Sequence, residues 1–281
     1  MSLADPPVRA VALPTGVTLH GIEFGAGDPL VFVHGGGRDY RYWRNQVGSF
    51  AERFHVFAFS RRYAWPNDNA PLVSDYSART DALDLAALGD ALGVTRAHFI
   101  GASVGGFGAL VLATQRPDLV RSLVLAEPPI MRWANDLPGG REALRAFNEG
   151  AFFPAADAFR AGDNVRAMEL LTDGFLGAGT FAQFKESRRQ RVLEGARDWE
   201  AQATSSDNFT DLSRDLVRAL RVPSLLLSGS ASVTAHRLVD EELARVLPGA
   251  RRLVIAGASH DVWLDAPKRC RDESLAFLAA L

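Results

Sequence analysis

The sequence predicts an α/β protein, a mostly parallel sheet with helices on both faces, interrupted by a helical insertion. Three observations predict it. Short apolar runs at 30–33, 56–59, 97–100 and 122–126 alternate with stretches of helical period, the pattern a parallel sheet with crossover helices requires. That alternation stops at Glu127, and no strand is evident from 131 to 210. It resumes at 224–228 and closes with a strand at 252–255 and a last helix.

Taken in order, 8–13 and 17–24 alternate apolar and polar residues around Pro14-Thr15-Gly16, which predicts a hairpin. The run 30–33 stops at His34-Gly35-Gly36-Gly37, and Asp39 can cap a helix carrying Trp43, Val47 and Phe50. After the strand at 56–59 comes a loop rich in Pro, Asn and Asp. Ser77 opens a helix whose inner face is read from Leu83, Ala87, Leu88 and Leu92, ending at Gly93. A strand at 97–100, a sharp turn at 101–106 and a helix at 107–114 follow, with Pro117 ending the helix. The insertion reads as short helices broken at Gly150, Pro154, Gly174 and Gly179. Helices are then expected at about 235–246 and from Pro267 to the C-terminus. The expected division is a core of 1–130 and 211–281 and an inserted helical cap of 131–210.

Composition narrows the function classes. The 281 residues are 47% hydrophobic and 23% charged, with a net charge of −2 and no long run of one sign. A phosphate-binding footprint is therefore not expected, nor is a nucleic-acid partner. No apolar run is long enough to span a bilayer. The opening Met-Ser-Leu-Ala-Asp-Pro-Pro has neither a basic start nor an apolar stretch, so no secretory leader is expected and the location expected is cytoplasmic. The single cysteine, Cys270, permits no internal disulfide and forms no ligand cluster. Neither metal nor cofactor is expected.

Two segments carry chemistry. Gly101-Ala102-Ser103-Val104-Gly105 matches Gly-x-Ser-x-Gly between a predicted strand and a predicted helix, where a strained turn pushes a serine hydroxyl clear of the sheet. His34-Gly35-Gly36-Gly37 can offer a bare backbone N–H to a developing oxyanion beside that of Val104. Gly36 is the first choice there and Gly37 the alternative, while His34 is read as a brace for the loop. The spacing fits neither a dinucleotide loop nor a P-loop. A serine hydroxyl needs a base, and a neutral imidazole suits that task. His260, beyond the last strand in Gly257-Ala258-Ser259-His260, stands where the base is needed. His20, His55, His98 and His236 are read as structural.

These landmarks, in this order, resemble the α/β-hydrolase family across nearly the whole chain. The resemblance implies an eight-stranded, mostly parallel sheet, a helical cap between strands six and seven, and a Ser–acid–His triad. Ser103 and His260 carry over directly. The usual acid, an aspartate after strand seven, does not: Ser228-Gly229-Ser230-Ala231-Ser232-Val233 contains no carboxylate, and Ser232 stands at the expected place. Some relatives, certain haloalkane dehalogenases among them, set the acid after strand six, which points to Glu127. Asp261 and Asp265 are rivals by proximity to His260, and Glu127 as a hinge residue is the bland alternative.

Residues 131–210 hold ten of the 26 aromatic residues, eight of them Phe and none Tyr. Phe147, Phe152 and Trp133 are expected to line an apolar substrate pocket over Ser103. Arg61-Arg62-Tyr63 reads as a solvated loop, with a substrate carboxylate as the other possibility. The reading is a serine hydrolase that cleaves an ester, lactone or related acyl bond of a small, apolar acyl compound through an acyl-enzyme. Its rivals are a catalytically idle binding protein, or a C–C bond hydrolase or cofactor-free perhydrolase using the same residues. Haloalkane dehalogenation is disfavoured, because its nucleophile is a carboxylate.

Overall fold

The computed structural model describes residues 7–281, so the expectation about the opening segment lies almost wholly outside them. Eight strands form one sheet: β1 (Arg9–Ala12), β2 (Thr18–Phe24), β3 (Asp28–Val33), β4 (Phe54–Phe59), β5 (Ala97–Ala102), β6 (Val120–Ala126), β7 (Ser224–Gly229) and β8 (Arg251–Ile255). Their spatial order is β1-β2-β4-β3-β5-β6-β7-β8. The predicted hairpin makes β1 and β2 antiparallel, β2 runs antiparallel to β4, and every later pairing is parallel. Strand period explains the two cores. Val31, Val33, Phe57, Phe99, Leu123 and Leu125 face one side. Leu30, Phe32, Val56, Ile100 and Val124, at the alternate positions, face the other.

Helices α2 (Ala78–Leu92), α3 (Val104–Gln115) and α11 (Thr234–Val246) cover the first face. The second is covered by α1 (Arg44–Ala51) and α13 (Pro267–Ala279). Asp39 caps a 3₁₀ turn over Tyr40–Trp43 that feeds α1. Ser77 caps α2 and Gly93 ends it in the left-handed conformation (φ 70°). The inner face of α2 differs from the expected one. Leu83 is 60% exposed, while Asp81 and Asp84 are buried. These carboxylates turn inward because Arg61 and Arg62 meet them at 3.3 and 2.6 Å.

Between β6 and β7 the described residues form helices and turns. Helices α4 (Gly140–Phe147) and α5 (Phe153–Arg160) are joined by a π-helical turn over Asn148–Phe152, so neither Gly150 nor Pro154 breaks the segment. The wider π turn carries the Phe153 N–H to the Asn148 carbonyl just before Pro154, which has no N–H to place. Gly174 lies inside α6 (Asn164–Leu176), where a Cβ would come 2.3 Å from that of Ala151. It is a contact point between helices rather than a break. Gly179, in contrast, does start α7 (Thr180–Gln183). The remaining helices are α8 (Glu186–Leu193), α9 (Ala196–Ala203), α10 (Arg214–Ala219) and the short α12 (Val262–Asp265). Phe147, Phe152, Phe159, Met168 and Leu171 form an apolar cluster of their own within the insertion.

Candidate active site

Five chain segments meet at the carboxyl ends of β3, β5, β6, β7 and β8, the end at which open α/β sheets place their ligands. Ser103 follows β5 directly and precedes α3, with φ 49° and ψ −127°. The turn is possible because its flanks are bare. A Cβ on Gly105 would sit 2.3 Å from the His34 carbonyl oxygen, and one on Gly101 would sit 2.5 Å from the Gly106 Cα. The Ser103 N–H donates to the Ala126 carbonyl at 2.7 Å, tying the turn to the end of β6.

Glu127 comes next after β6 and is the other described non-glycine residue with positive φ, 45°. Its side chain is shut off from solvent. One carboxylate oxygen accepts the Gly229 N–H (2.6 Å) and the Ser232 hydroxyl (2.7 Å). The other lies 2.7 Å from His260 Nδ1, and His260 Nε2 lies 2.9 Å from Ser103 Oγ. Ser103, His260 and Glu127 thus form one hydrogen-bonded line. Ser232, at the position where a carboxylate is usual, holds the glutamate instead. The two rivals are engaged elsewhere: Asp261 takes Arg38 (2.7 Å) and the Tyr42 hydroxyl (2.6 Å), and Asp265 takes the Ser259 N–H and hydroxyl.

The glycine loop divides its N–H groups. That of Gly37 donates to Asp198 Oδ2 at 2.8 Å. Gly36 and Val104 have no such bond among the described residues, which leaves both N–H groups open beside Ser103. His34 braces the loop from within. It accepts the Arg61 N–H at Nε2 (2.8 Å) and faces the Gly35 carbonyl through Nδ1 (2.8 Å), which sets the Nδ1–H tautomer. Burial first, and then the charge of Arg61, lower its pKa to about 3, so the ring is neutral.

Arg61 corrects the solvated-loop reading. It is 5% exposed and meets Asp198 at 3.0 Å and Asp81 at 3.3 Å. Burial works against its charge, but the two carboxylates outweigh that and keep it ionised. Burial raises Asp198 to about 6 against the pull of Arg61. Through Asp198, α9 is therefore fastened to both the Gly37 N–H and the Arg61 guanidinium. Sequence reasoning missed this strut, since an aspartate in an inserted helix carries no local sign of a partner 137 residues away.

Two chambers flank Ser103. The larger, about 100 Å³, touches Gly36, His260, Phe175, Leu171, Trp199 and Trp263, and its rim carries the exposed Arg188. The smaller, about 20 Å³, lies beside Val104 and is walled by Phe147, Phe152, Phe209, Gln202 and His236. Phe147 and Phe152 therefore line the smaller chamber. Trp133 lines neither: its ring packs in the main core, its Nε1–H donates to the Leu212 carbonyl (2.7 Å), and Arg214 lies over it. An indole that can satisfy its N–H on the core side has no reason to turn toward the site.

His236 was expected to be structural, and it is buried, but its ring centre lies 4.0 Å from that of His260. Burial and then His260 push its pKa well below the ordinary imidazole value. Ligand atoms of Glu127, His236 and His260 lie within 4.8 Å of one another. Both His260 nitrogens are already paired with Ser103 and Glu127, so a cation there would compete with that line. Cys270 is buried, its thiol raised to about 12 by burial, far from thiolate chemistry.

Comparison with known proteins agrees with this architecture. A match to the family described as alpha/beta hydrolase fold covers residues 28–267. A protein of Pseudomonas syringae pv. syringae named "Putative carbamate hydrolase RutD" is 34% identical over 244 residues, 86% of this chain and 90% of its own. The pimeloyl-[acyl-carrier protein] methyl ester esterase of Aeromonas hydrophila is 27% identical over 88% of this chain and 94% of its own. Among solved structures, the carboxylesterase CesB of Bacillus subtilis superposes with a TM-score of 0.76 at 17% identity, covering 100% of this chain and 94% of that one, a likeness of fold. From the family match across most of its length and the 34% identical relative spanning most of both chains, the chain belongs to the alpha/beta hydrolase fold family.

Proposed function

We propose that this α/β hydrolase is a serine hydrolase that cleaves an ester, lactone or related acyl bond of a small, largely apolar molecule through an acyl-enzyme. The observation that carries the reading is the unbroken line from Ser103 Oγ through His260 to the Glu127 carboxylate. In this mechanism Ser103 Oγ attacks the carbonyl carbon while its proton passes to His260 Nε2. Glu127 accepts the Nδ1–H and stabilises the imidazolium. The oxyanion takes the N–H groups of Gly36 and Val104. As the tetrahedral intermediate collapses, the bond to the alcohol oxygen breaks and His260 returns the proton to it. Water then attacks the acyl-enzyme, gives a proton to His260, and the acid leaves as Ser103 regains its hydrogen. Residues 131–210 act as the cap that supplies most of the apolar walls. The names of the relatives, an esterase and a carbamate hydrolase, support cleavage at an acyl carbon. A cytoplasmic location belongs to the same proposal, supported by one free, buried cysteine.

A fluorophosphonate probe tests the reading, because it reacts quickly only with an activated serine. Rapid, stoichiometric labelling is expected, lost in Ser103→Ala, with hydrolysis falling about 10⁴-fold in that variant. A protein that stays unlabelled would be an idle binding protein instead, and labelling that survives Ser103→Ala would place the nucleophile elsewhere.

A further inference from the structure

Which side of the scissile bond goes into which chamber follows from where the proton must travel. The leaving oxygen receives its proton from His260 Nε2, and the deacylating water gives its proton to the same atom. Both must therefore sit in the chamber that His260 lines, and the water must reach it from solvent. That is the larger chamber, which is lined by His260 and rimmed by the exposed Arg188 and the half-buried Arg38. The other substituent of the carbonyl then has one place left. The smaller chamber touches Ser103 and Val104 but not His260, and Met131, Phe147, Phe152, Gln202 and His236 around it are all buried.

Resting on the serine-hydrolase reading, we propose that the smaller chamber is the acyl site and that its walls restrict substrates to short acyl groups, about the size of acetyl, carried on larger apolar alcohols. A cavity of about 20 Å³ has room for one water-sized or methyl-sized group. It cannot deepen cheaply. Phe147 and Phe152 are rings of the insertion's own apolar cluster, with centres 6.3 Å apart, and Phe209 closes on Phe152 at 5.0 Å. Apolar bulk is tolerated on the opposite side, where Phe175, Trp199 and Trp263 line the larger chamber. Phe175 and Trp199 touch both chambers, their rings 5.5 Å apart, and form the partition. This narrows the sequence-based expectation of an apolar pocket over Ser103, lined by Phe147 and Phe152, to a site for one short acyl group.

The test keeps the leaving group constant and varies the acyl chain. Intact mass and nitrophenolate release report acylation of Ser103 by p-nitrophenyl acetate and p-nitrophenyl octanoate. The acetate is expected to acylate at least about 100-fold faster, since a hydrophobic pocket discriminates by roughly tenfold or more per methylene it must exclude. Phe152→Ala should narrow the ratio to within about tenfold by speeding the octanoate. Phe147→Leu, a smaller change, should move it the same way if the alanine variant does not fold. Octanoate reacting as fast as acetate in the wild type overturns the assignment, as does an unchanged ratio in a folded variant. Fluorophosphonate labelling without acylation by acetate would refute the short-acyl site while leaving Ser103 active. Failure of the fluorophosphonate itself would strike the underlying serine-hydrolase reading.

Discussion

Ser103 and Glu127 are the two described non-glycine residues with positive φ, a conformation that costs of order 1–3 kcal/mol each and survives only where its surroundings enforce it. Both stand one residue beyond a strand end, and both side chains reach His260. Glu127 is held from three sides, by the Gly229 N–H, the Ser232 hydroxyl and His260 Nδ1. Glu127→Gln keeps the shape but can present an N–H to His260, so kcat is expected to fall about 10³- to 10⁴-fold, measured on any accepted ester. Ser232→Ala removes one of the two groups fixing the far oxygen and should cost less than about tenfold. Ser232→Asp sets a second carboxylate within hydrogen-bond reach of the first, and two such charges cannot both ionise freely. It should lower activity alone yet restore part of it when combined with Glu127→Gln. A fully active Glu127→Gln enzyme would remove the glutamate from the mechanism.

Helix α9 shows how an inserted element is bound to the core. Asp198 accepts the Gly37 N–H, the Arg61 guanidinium and the Gln202 amide, the last two in buried surroundings. Asp198→Ala leaves a buried guanidinium with Asp81 as its remaining carboxylate partner, so a loss of about 3 kcal/mol is expected, at the low end for breaking a buried pair. The glycine loop is released at the same time, and kcat should fall by about tenfold. Chemical denaturation and steady-state kinetics on one preparation check both. Unchanged stability would show that Asp81 alone suffices for Arg61. Contact between α6 and the π turn before α5 rests on a missing side chain. Gly174→Val drives carbon into the Ala151 Cβ, and overpacking of about 1–3 kcal/mol is expected, visible as a lower denaturation midpoint. A mid-helix glycine gives up helix propensity here in exchange for that approach.

Across the whole molecule the buried histidines make stability depend on pH. The folded-state pKa of His34 is lowered to about 3, chiefly by burial, whereas an unfolded imidazole titrates near 6.5. A depressed pKa contributes stability above the unfolded value and loses it as pH falls through 6.5 toward 3. Between pH 7 and 5 the loss from this one group is about 2 kcal/mol. Asp198 and Asp240, both raised to about 6, titrate in the opposite sense, so the wild-type curve alone does not isolate His34. The comparison with His34→Gln does. The variant lacks the proton, and the stability gap between the two proteins should shrink by about 2 kcal/mol from pH 7 to 5 in denaturant titrations. A constant gap would mean that folding leaves the titration of His34 unchanged and that burial does not keep the ring neutral.

The strand order of motifs, the Gly-Ser-Gly turn and the late histidine were legible in the sequence because each is a local signal. Strand period, turn glycines and capping residues depend on neighbours a few positions away. Even the placement of Glu127 beside His260 was legible, from a strand-seven loop that lacks a carboxylate and a resemblance to relatives whose acid follows strand six. What the sequence left undetermined lies where placement depends on distant partners. Leu83 and Arg61 exchanged their expected environments because Asp81, on the same helix as Leu83, and Asp198, 137 residues from Arg61, both turn toward the Arg61 cation and leave the leucine outward. Gly36 and Gly37 look alike in sequence, and only Asp198 on α9 separates the occupied N–H from the open one. The aromatic residues of 131–210 are equally apolar, and only the packing of the insertion sends Phe147 to the small chamber, Phe175 to the partition and Trp133 to the core. Residue chemistry near the reacting atoms is written locally, whereas the shape of the space around them is a property of how whole helices meet.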